Sequence, residues 1–243
     1  MAKEPSDVNR AARLLLEEER AVAVVVKLGP VGCKVFVKDE VFDVPVFRTK
    51  RVFPIGSGDV FSASFAYAWM NLGKDFKDAA MYASMAAAYY CENMIFATEE
   101  LLHAWKPNPL HYCNDVGGCV YLAGPFFNTA QRWLIEELYI SLKNMGLTVF
   151  SPFHDVGPGV ADDIWEKDIE GLKNSTAVLA CLDGMDSGTL YEVGYAHALS
   201  IPVVILASSE KEEDLKMPTG GGSLVVGDIA TAVYLSSWAV NCK

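Results

Sequence analysis

From residue 118 onward, short aliphatic runs alternate with longer amphipathic stretches. The runs at 118–123, 147–151, 176–182 and 201–207 read as strands, and the stretches near 128–145, 162–173 and 189–199 carry apolar residues at helical spacing. A last strand is expected at 223–226 and a last helix at 228–238. Strands this apolar have no solvent face. Joined through helices, they form a parallel sheet covered on both sides. In such sheets ligands bind beyond the carboxyl ends of the strands.

The preceding residues follow a different pattern. Residues 7–20 read as a helix with leucines on one side, followed by strands at 22–27, 33–37 and 41–47. Gly56-Ser57-Gly58-Asp59 then opens an apolar helix over 59–72, and a helix rich in Ala and Met covers about 75–91. Residues 107–117 hold two prolines, two asparagines and the first of a glycine pair, which break both periodicities. The expected organisation is a unit at 1–106, a linker at 107–117 and a second unit at 118–243.

Charge and composition exclude several classes. The 243 residues carry 20 Lys and Arg against 31 Asp and Glu, a net charge of −11. That field repels a phosphate backbone, so no nucleic-acid partner is expected. The longest aliphatic run, Ala21 to Val26, is strand length and far below the roughly 20 residues of a membrane span. The polar amino terminus lacks the apolar core of a signal peptide. A cytoplasmic protein with no membrane contact is expected. Six cysteines without a Cys-x-x-Cys read as reduced thiols, and four histidines without ligand spacing imply no metal site.

Chemistry concentrates in Asp183-Gly-Met-Asp186-Ser-Gly188-Thr189-Leu-Tyr191-Glu192, which leaves a strand and enters a helix. A carboxylate in the first turn of that helix would be held ionised by backbone N–H groups and the helix dipole, as a nucleophile requires. Thr189-x-x-Glu192 equally fits a capping box without catalysis, and Asp183 and Asp186 fit ordinary turns. On the preceding helix Asp168 shares a face with Trp165, Ile169 and Leu172, where a carboxylate is costly unless something binds it; the alternative is a rim position. The first strand ends Tyr121-Leu-Ala-Gly124-Pro-Phe126-Phe127. Gly124 would let a ligand approach the backbone, the two aromatics either stack on a nucleobase or fill the core, and the Tyr121 hydroxyl is placed to orient a carboxylate.

Tyr-Leu-Ala-Gly-Pro-Phe-Phe, then Ser151-Pro152-Phe153, Asp168 and Asp186-Ser-Gly-Thr-x-Tyr-Glu192-x-Gly-Tyr-Ala resemble the nucleoside 2-deoxyribosyltransferase family over about 118–207. The resemblance implies that Glu192 attacks the anomeric carbon to form a glycosyl ester. It implies that Asp168 handles the proton on the base, Tyr121 holds the nucleophile and Asp186 binds sugar hydroxyls. Gly124, Phe126, Phe127, His154 and Gly188 are the further substrate-binding residues it implies. In the related nucleoside-monophosphate hydrolases a small hydroxyl residue stands where this chain has Asp186. An aspartate there repels a phosphate, which favours free nucleosides. The family also completes its site with a residue of a neighbouring subunit near the carboxyl end, for which Asn241 is the candidate.

Gly56-Ser57-Gly58-Asp59 at a helix start reads either as an anion cradle with an adjacent base or as a helix cap. With Val25-Val-Lys27-Leu-Gly-Pro-Val-Gly32 before it, the motif resembles the carboxyl-terminal part of PfkB-type, ribokinase-like sugar kinases over about 7–97. That resemblance implies a catalytic base at Asp59, an anion hole at Gly56 and Gly58, and ATP as a ligand. Phe53-Pro54 replaces the Asp-Thr that often precedes the motif, and the front half of such a kinase has no counterpart before residue 7. The segment is therefore expected to be a retained nucleotide-binding or scaffolding lobe, with an open sheet edge that favours a homo-oligomer.

The expected fold class is α/β: a flavodoxin/Rossmann-like doubly wound parallel five-stranded sheet behind a partial ribokinase-like α/β lobe. The expected activity is cleavage of the N-glycosidic bond of (2′-deoxy)nucleosides with transfer to another free nucleobase, with no cofactor required. Three rivals stand beside it: an N-glycoside hydrolase, a non-catalytic nucleotide sensor and a sugar or nucleoside kinase.

Overall fold

The computed structural model describes residues 5–111 and 118–241, which form two compact units on either side of residues 112–117. In the first, helix α1 (Pro5–Glu18) precedes strands β1 (Val24–Lys27), β2 (Cys33–Phe36) and β3 (Val41–Val44), an antiparallel sheet of order β1-β2-β3. Gly32 makes the first turn possible: its φ is +99°, and a Cβ there would stand 2.2 Å from the Val44 carbonyl oxygen.

The strand expected over 41–47 breaks at Pro45, which has no N–H for a ladder. Beyond it β4 (Val46–Phe47) pairs antiparallel with β5 (Pro109–Leu110). The segment expected as a linker at 107–117 therefore includes a strand paired back to the first unit, and its residues 112–117 lie outside the described residues. Between β4 and β5 come α2 (Ser57–Met70), α3 (Phe76–Asn93) and the unanticipated α4 (Glu99–Ala104). Ala79, Ala80 and Ala83 are fully buried, and such small side chains let α2 lie close against α3. Cys33, Val35, Val44 and Phe61 complete that core.

The second unit runs β6 (Cys119–Ala123), α5 (Thr129–Asn144), β7 (Thr148–Phe150), a π-helical turn (Pro152–Val156), α6 (Ala161–Lys173), β8 (Ala177–Cys181), α7 (Ser187–Ala198), β9 (Val203–Leu206), α8 (Lys216–Gly220), β10 (Leu224–Val226) and α9 (Ile229–Asn241). All strand pairs are parallel, in the order β10-β9-β8-β6-β7. Every residue of β8 and β9 is buried, as expected of a sheet covered on both faces. Helices α5 and α9 pack together, as do α6 and α7, and right-handed crossovers put the two pairs on opposite faces. The alternation expected from the sequence is present throughout; the π turn and α8 were not anticipated.

The strand order reverses direction between β6 and β8. Chains that leave the carboxyl ends of two such strands diverge and open a crevice, the usual ligand position in doubly wound sheets. Among the described residues no helix is long and apolar enough to cross a membrane. Cys33, Cys91, Cys119 and Cys181 are free thiols.

Candidate active site

The crevice between β6 and β8 gathers the carboxylates. Tyr121, in the middle of β6, is fully buried, with Phe150 of β7 stacked on its ring at 5.5 Å and 20°. Its hydroxyl donates to Glu192 Oε1 at 2.5 Å. Burial, then the charge of Glu192 and the hydrogen bond to it, then the charge of Asp168, hold the phenol far above its ordinary pKa. It remains a donor at every working pH.

Helix α7 starts at Ser187 with Asp186 as its cap; the Asp186 carboxylate accepts from the Thr189 amide at 2.8 Å and the Thr189 hydroxyl at 2.9 Å. The capping box anticipated between Thr189 and Glu192 is therefore absent, because Thr189 lies inside the first turn as a donor. Glu192 falls in the second turn, beyond the open backbone N–H groups. Its carboxyl is not held ionised as anticipated. Burial pushes its pKa up to about 7, against the lowering effect of the Tyr121 hydrogen bond, with the charges of Asp168 and Asp186 adding to the rise.

Asp168 projects from α6 toward the same site. Its Oδ1 is buried without a hydrogen-bond partner among the described residues, and burial raises its pKa. The residue as a whole is half-buried, as a rim position would be, with this one oxygen turned inward. A buried carboxyl oxygen without a partner is costly, and a ligand that bonds it removes the cost. One helical turn earlier, the Trp165 indole donates to Tyr191 Oη at 3.4 Å across the α6–α7 seam.

The other anticipated residues divide. Phe127 is 71% exposed just past the end of β6, and Phe126 packs on Phe153 at 5.3 Å, so an aromatic surface stands open at the crevice. Gly188 lies in the first turn of α7, where a Cβ would sit 3.1 Å from Asp186 Oδ2. At Gly124 a Cβ would meet Ile135 at 2.6 Å and Cys181 at 3.0 Å; internal packing by itself requires a glycine here. Both ring nitrogens of His154 are engaged within the protein, Nδ1 with Ser151 Oγ at 3.1 Å and Nε2 with Glu136 Oε2 at 2.9 Å, and Tyr139 covers a ring face at 4.0 Å. The imidazole clasps the π turn to α5. Asn241 is buried and donates to the Ser237 carbonyl at 3.1 Å, turned inward rather than presented to a neighbouring subunit.

Two features had no local signal in the sequence. Phe150 reads there only as a strand residue. Glu210 accepts from the Gly184 amide at 2.9 Å, and Asp183 accepts from the Ser208 hydroxyl at 3.2 Å, so the loops after β8 and β9 are clasped together. Burial works to raise the Glu210 pKa, but the Gly184 and Ser209 amides outweigh it and keep the carboxyl below its ordinary value.

In the first unit, Gly56 caps α2 with φ +80°, and a Cβ there would stand 3.0 Å from the Tyr90 hydroxyl. Gly58 and Asp59 lie within the first helical turn. The Lys27 ammonium donates to the Gly58 carbonyl at 3.1 Å, and Asp59 is exposed.

Among solved structures, a 2-deoxyribosyltransferase of Bacillus psychrosaccharolyticus is 27% identical over 46% of this chain and 87% of its own, with a TM-score of 0.42. A 2-desoxiribosyltransferase of Leishmania mexicana is 24% identical over 39% and 67%, TM-score 0.34, and a conserved protein of Enterococcus faecalis is 21% identical over 49% and 87%, TM-score 0.35. No curated protein matches the chain. Residues 120–222 match the family model of nucleoside 2-deoxyribosyltransferase, and residues 1–95 match that of the pfkB family carbohydrate kinases. The chain carries a nucleoside 2-deoxyribosyltransferase family domain at 120–222, preceded by a pfkB carbohydrate kinase segment at 1–95.

Proposed function

We propose that the second unit cleaves the N-glycosidic bond of 2′-deoxynucleosides and transfers the deoxyribosyl group to another nucleobase. The observation that carries this reading is the Glu192 carboxyl, gripped by Tyr121 at 2.5 Å with the unpartnered Asp168 oxygen beside it. A Glu192 oxygen attacks the anomeric carbon as the C–N bond breaks. The bonding pair leaves with the base nitrogen, which takes its proton from Asp168. An incoming base then gives a proton to the Asp168 carboxylate, attacks the same carbon and releases Glu192. Two displacements return the original configuration, as in retaining glycosidases. The step needs no cofactor.

Burial suits both carboxyls to these roles. A desolvated carboxylate regains in the oxocarbenium-like transition state the opposite charge that it lacks in the free site. A carboxyl with a raised pKa keeps its proton closer to neutrality. The Asp186 carboxylate and the ionised form of Glu192 give the crevice a negative field that disfavours a phosphate, which supports nucleosides over nucleotides as substrates. The pfkB segment is read as a retained nucleotide-binding or scaffolding lobe without phosphoryl transfer.

The test is chromatography of the purified protein with a panel of nucleosides and 5′-nucleotides, with and without a free acceptor base. A new nucleoside formed only with acceptor supports transfer. Free base released without acceptor makes the domain a hydrolase. Tight binding with neither product overturns the catalytic reading in favour of a sensor.

A further inference from the structure

The first half of α6 is lightly held. Its cap, Val160, supplies no side-chain hydrogen bond and is 66% exposed. Gly157, with φ +71°, and Gly159 precede it. Asp168 follows just past the midpoint of the helix, where Ile169 begins the buried stretch, and its buried oxygen needs a fixed position to serve a proton. Trp165 provides a sideways tie. Its indole N–H reaches Tyr191 Oη at 3.4 Å, near the outer limit for a hydrogen bond. Further along the seam Tyr191 faces Tyr195 at 6.3 Å, and the Lys173 ammonium lies 5.9 Å from the Tyr195 ring.

Residues 165 and 168 share a helix face, one turn apart. Tyr191 is the chain neighbour of Glu192. A bridge between 165 and 191 therefore spans the two helices that bear the two reacting carboxyls, on the mouth side of Asp168. Trp165 and Tyr191 are 52% and 54% exposed. Burial alone does not account for two half-open aromatic rings joined in this way.

We propose that Trp165 is a positioning residue: bridged to Tyr191, it closes the α6–α7 seam over Asp168 and sets the aim and the solvation of that carboxyl. The charged and titratable groups around Asp168 are Glu192 from α7 and Tyr121 from β6, with Asp186 acting on Glu192 from the cap. The π turn contributes Asp155, taken by the Ser151 amide at 2.8 Å, and His154, tied to Glu136. On its own helix Asp168 has Glu166 and Lys167 beside it in sequence, both exposed. None of these is altered by removing the Trp165–Tyr191 bond, so a change in Asp168 titration reports the seam itself.

The experiment compares wild type, Trp165→Phe, Tyr191→Phe and the double variant, all of which keep a ring at an exposed position. Carboxyl-carbon NMR follows the titration of Asp168, assigned by its loss in Asp168→Asn. Kinetics with a 2′-deoxynucleoside and an acceptor base follow the reaction. Either single variant is expected to bring the Asp168 midpoint down toward the ordinary carboxylate range and the basic limb of kcat/KM with it. The kcat is expected to fall about tenfold with KM within about twofold, as for a misaimed acid, and the double variant is expected to match the singles. An unmoved Asp168 midpoint in both single variants, or a double variant whose losses multiply, overturns the proposal. The kinetic arm rests on the glycosyl-transfer reading, whereas the NMR arm does not. A shifted midpoint in a protein that cleaves no nucleoside upholds the seam and rejects the reaction.

Discussion

The Tyr121 hydroxyl and Glu192 Oε1 lie 2.5 Å apart across 71 positions of sequence. This bond works against burial: it lowers the Glu192 pKa, which desolvation and the neighbouring charges still hold at about 7. Tyr121→Phe keeps the ring under Phe150 and removes only the donor. A hydrogen bond to a charged group is worth about 1.5–3 kcal/mol, so kcat/KM for deoxynucleoside cleavage is expected to fall about tenfold to a hundredfold. The acid limb of the pH profile, which reports ionisation of Glu192, is expected to move to higher pH. A limb that stays in place would separate Tyr121 from the ionisation of Glu192.

Asp168 acts on the same carboxyl with the opposite sign. After burial and the Tyr121 bond, its charge is the next contribution to the Glu192 pKa, and it raises it. Asp168→Asn is therefore expected to shift the acid limb to lower pH, opposite to Tyr121→Phe. The loss of general acid catalysis is expected to cost a factor on the order of 10² to 10⁴. A nucleoside whose base is already cationic, such as an N7-methylated purine deoxynucleoside, leaves without a proton and should lose much less. Equal losses for the two substrates would remove Asp168 from proton transfer.

Tyr121, Asp168 and Glu192 were legible in the sequence because each sits where a simple period puts it: on a strand, on a helix face, or past a strand end. Their ionisation was not. The helix-dipole argument for an ionised Glu192 depended on the first residue of α7, and Asp186-x-x-Thr189 and Thr189-x-x-Glu192 are both acceptable local caps. Only the position of the helix against β6 and β8 decides between them. Gly124 and His154 show the same limit. A glycine at a strand end and a histidine after a Ser-Pro pair have local meaning, but the atoms that meet them, from Ile135, Cys181, Glu136 and Tyr139, arrive through tertiary packing. In the first unit Pro45 marked the break of the long strand, whereas the pairing of residues 46–47 with 109–110 had no local sign.

Gly171 supports the site from behind. A Cβ there would stand 2.3 Å from the Phe150 ring, and that ring stacks on Tyr121 at 5.5 Å. Gly171→Ala improves the helix propensity of α6 by up to about 1 kcal/mol, yet it drives a methyl into an aromatic ring that has Tyr121 on its other side. Overpacking of this kind costs about 1–3 kcal/mol. The expected result is a lower Tm and a reduced kcat, both restored in part by Phe150→Leu, which shortens the obstructing side chain. A variant as stable and active as wild type would show that Phe150 has room to move.

Glu192 is expected to be destabilising where it is functional. Burial holds its carboxyl at about 7 in the fold, against an ordinary value of 4.5, so between those pH values the native state binds more protons than the unfolded chain. Stability contributed by the neutral form is fully present below pH 4.5 and is lost as pH rises through about 7. Glu192→Gln retains an acceptor for Tyr121 and carries no charge at any pH. It is expected to abolish glycosyl cleavage and to leave nucleoside binding nearly intact. Relative to wild type it should gain on the order of 2–3 kcal/mol of stability at pH 8 and almost nothing at pH 4.5. Denaturant unfolding of both proteins at the two pH values measures the difference. A gain that is the same at both would assign the effect to packing, whereas one that grows through the interval assigns it to the charge that the reaction requires.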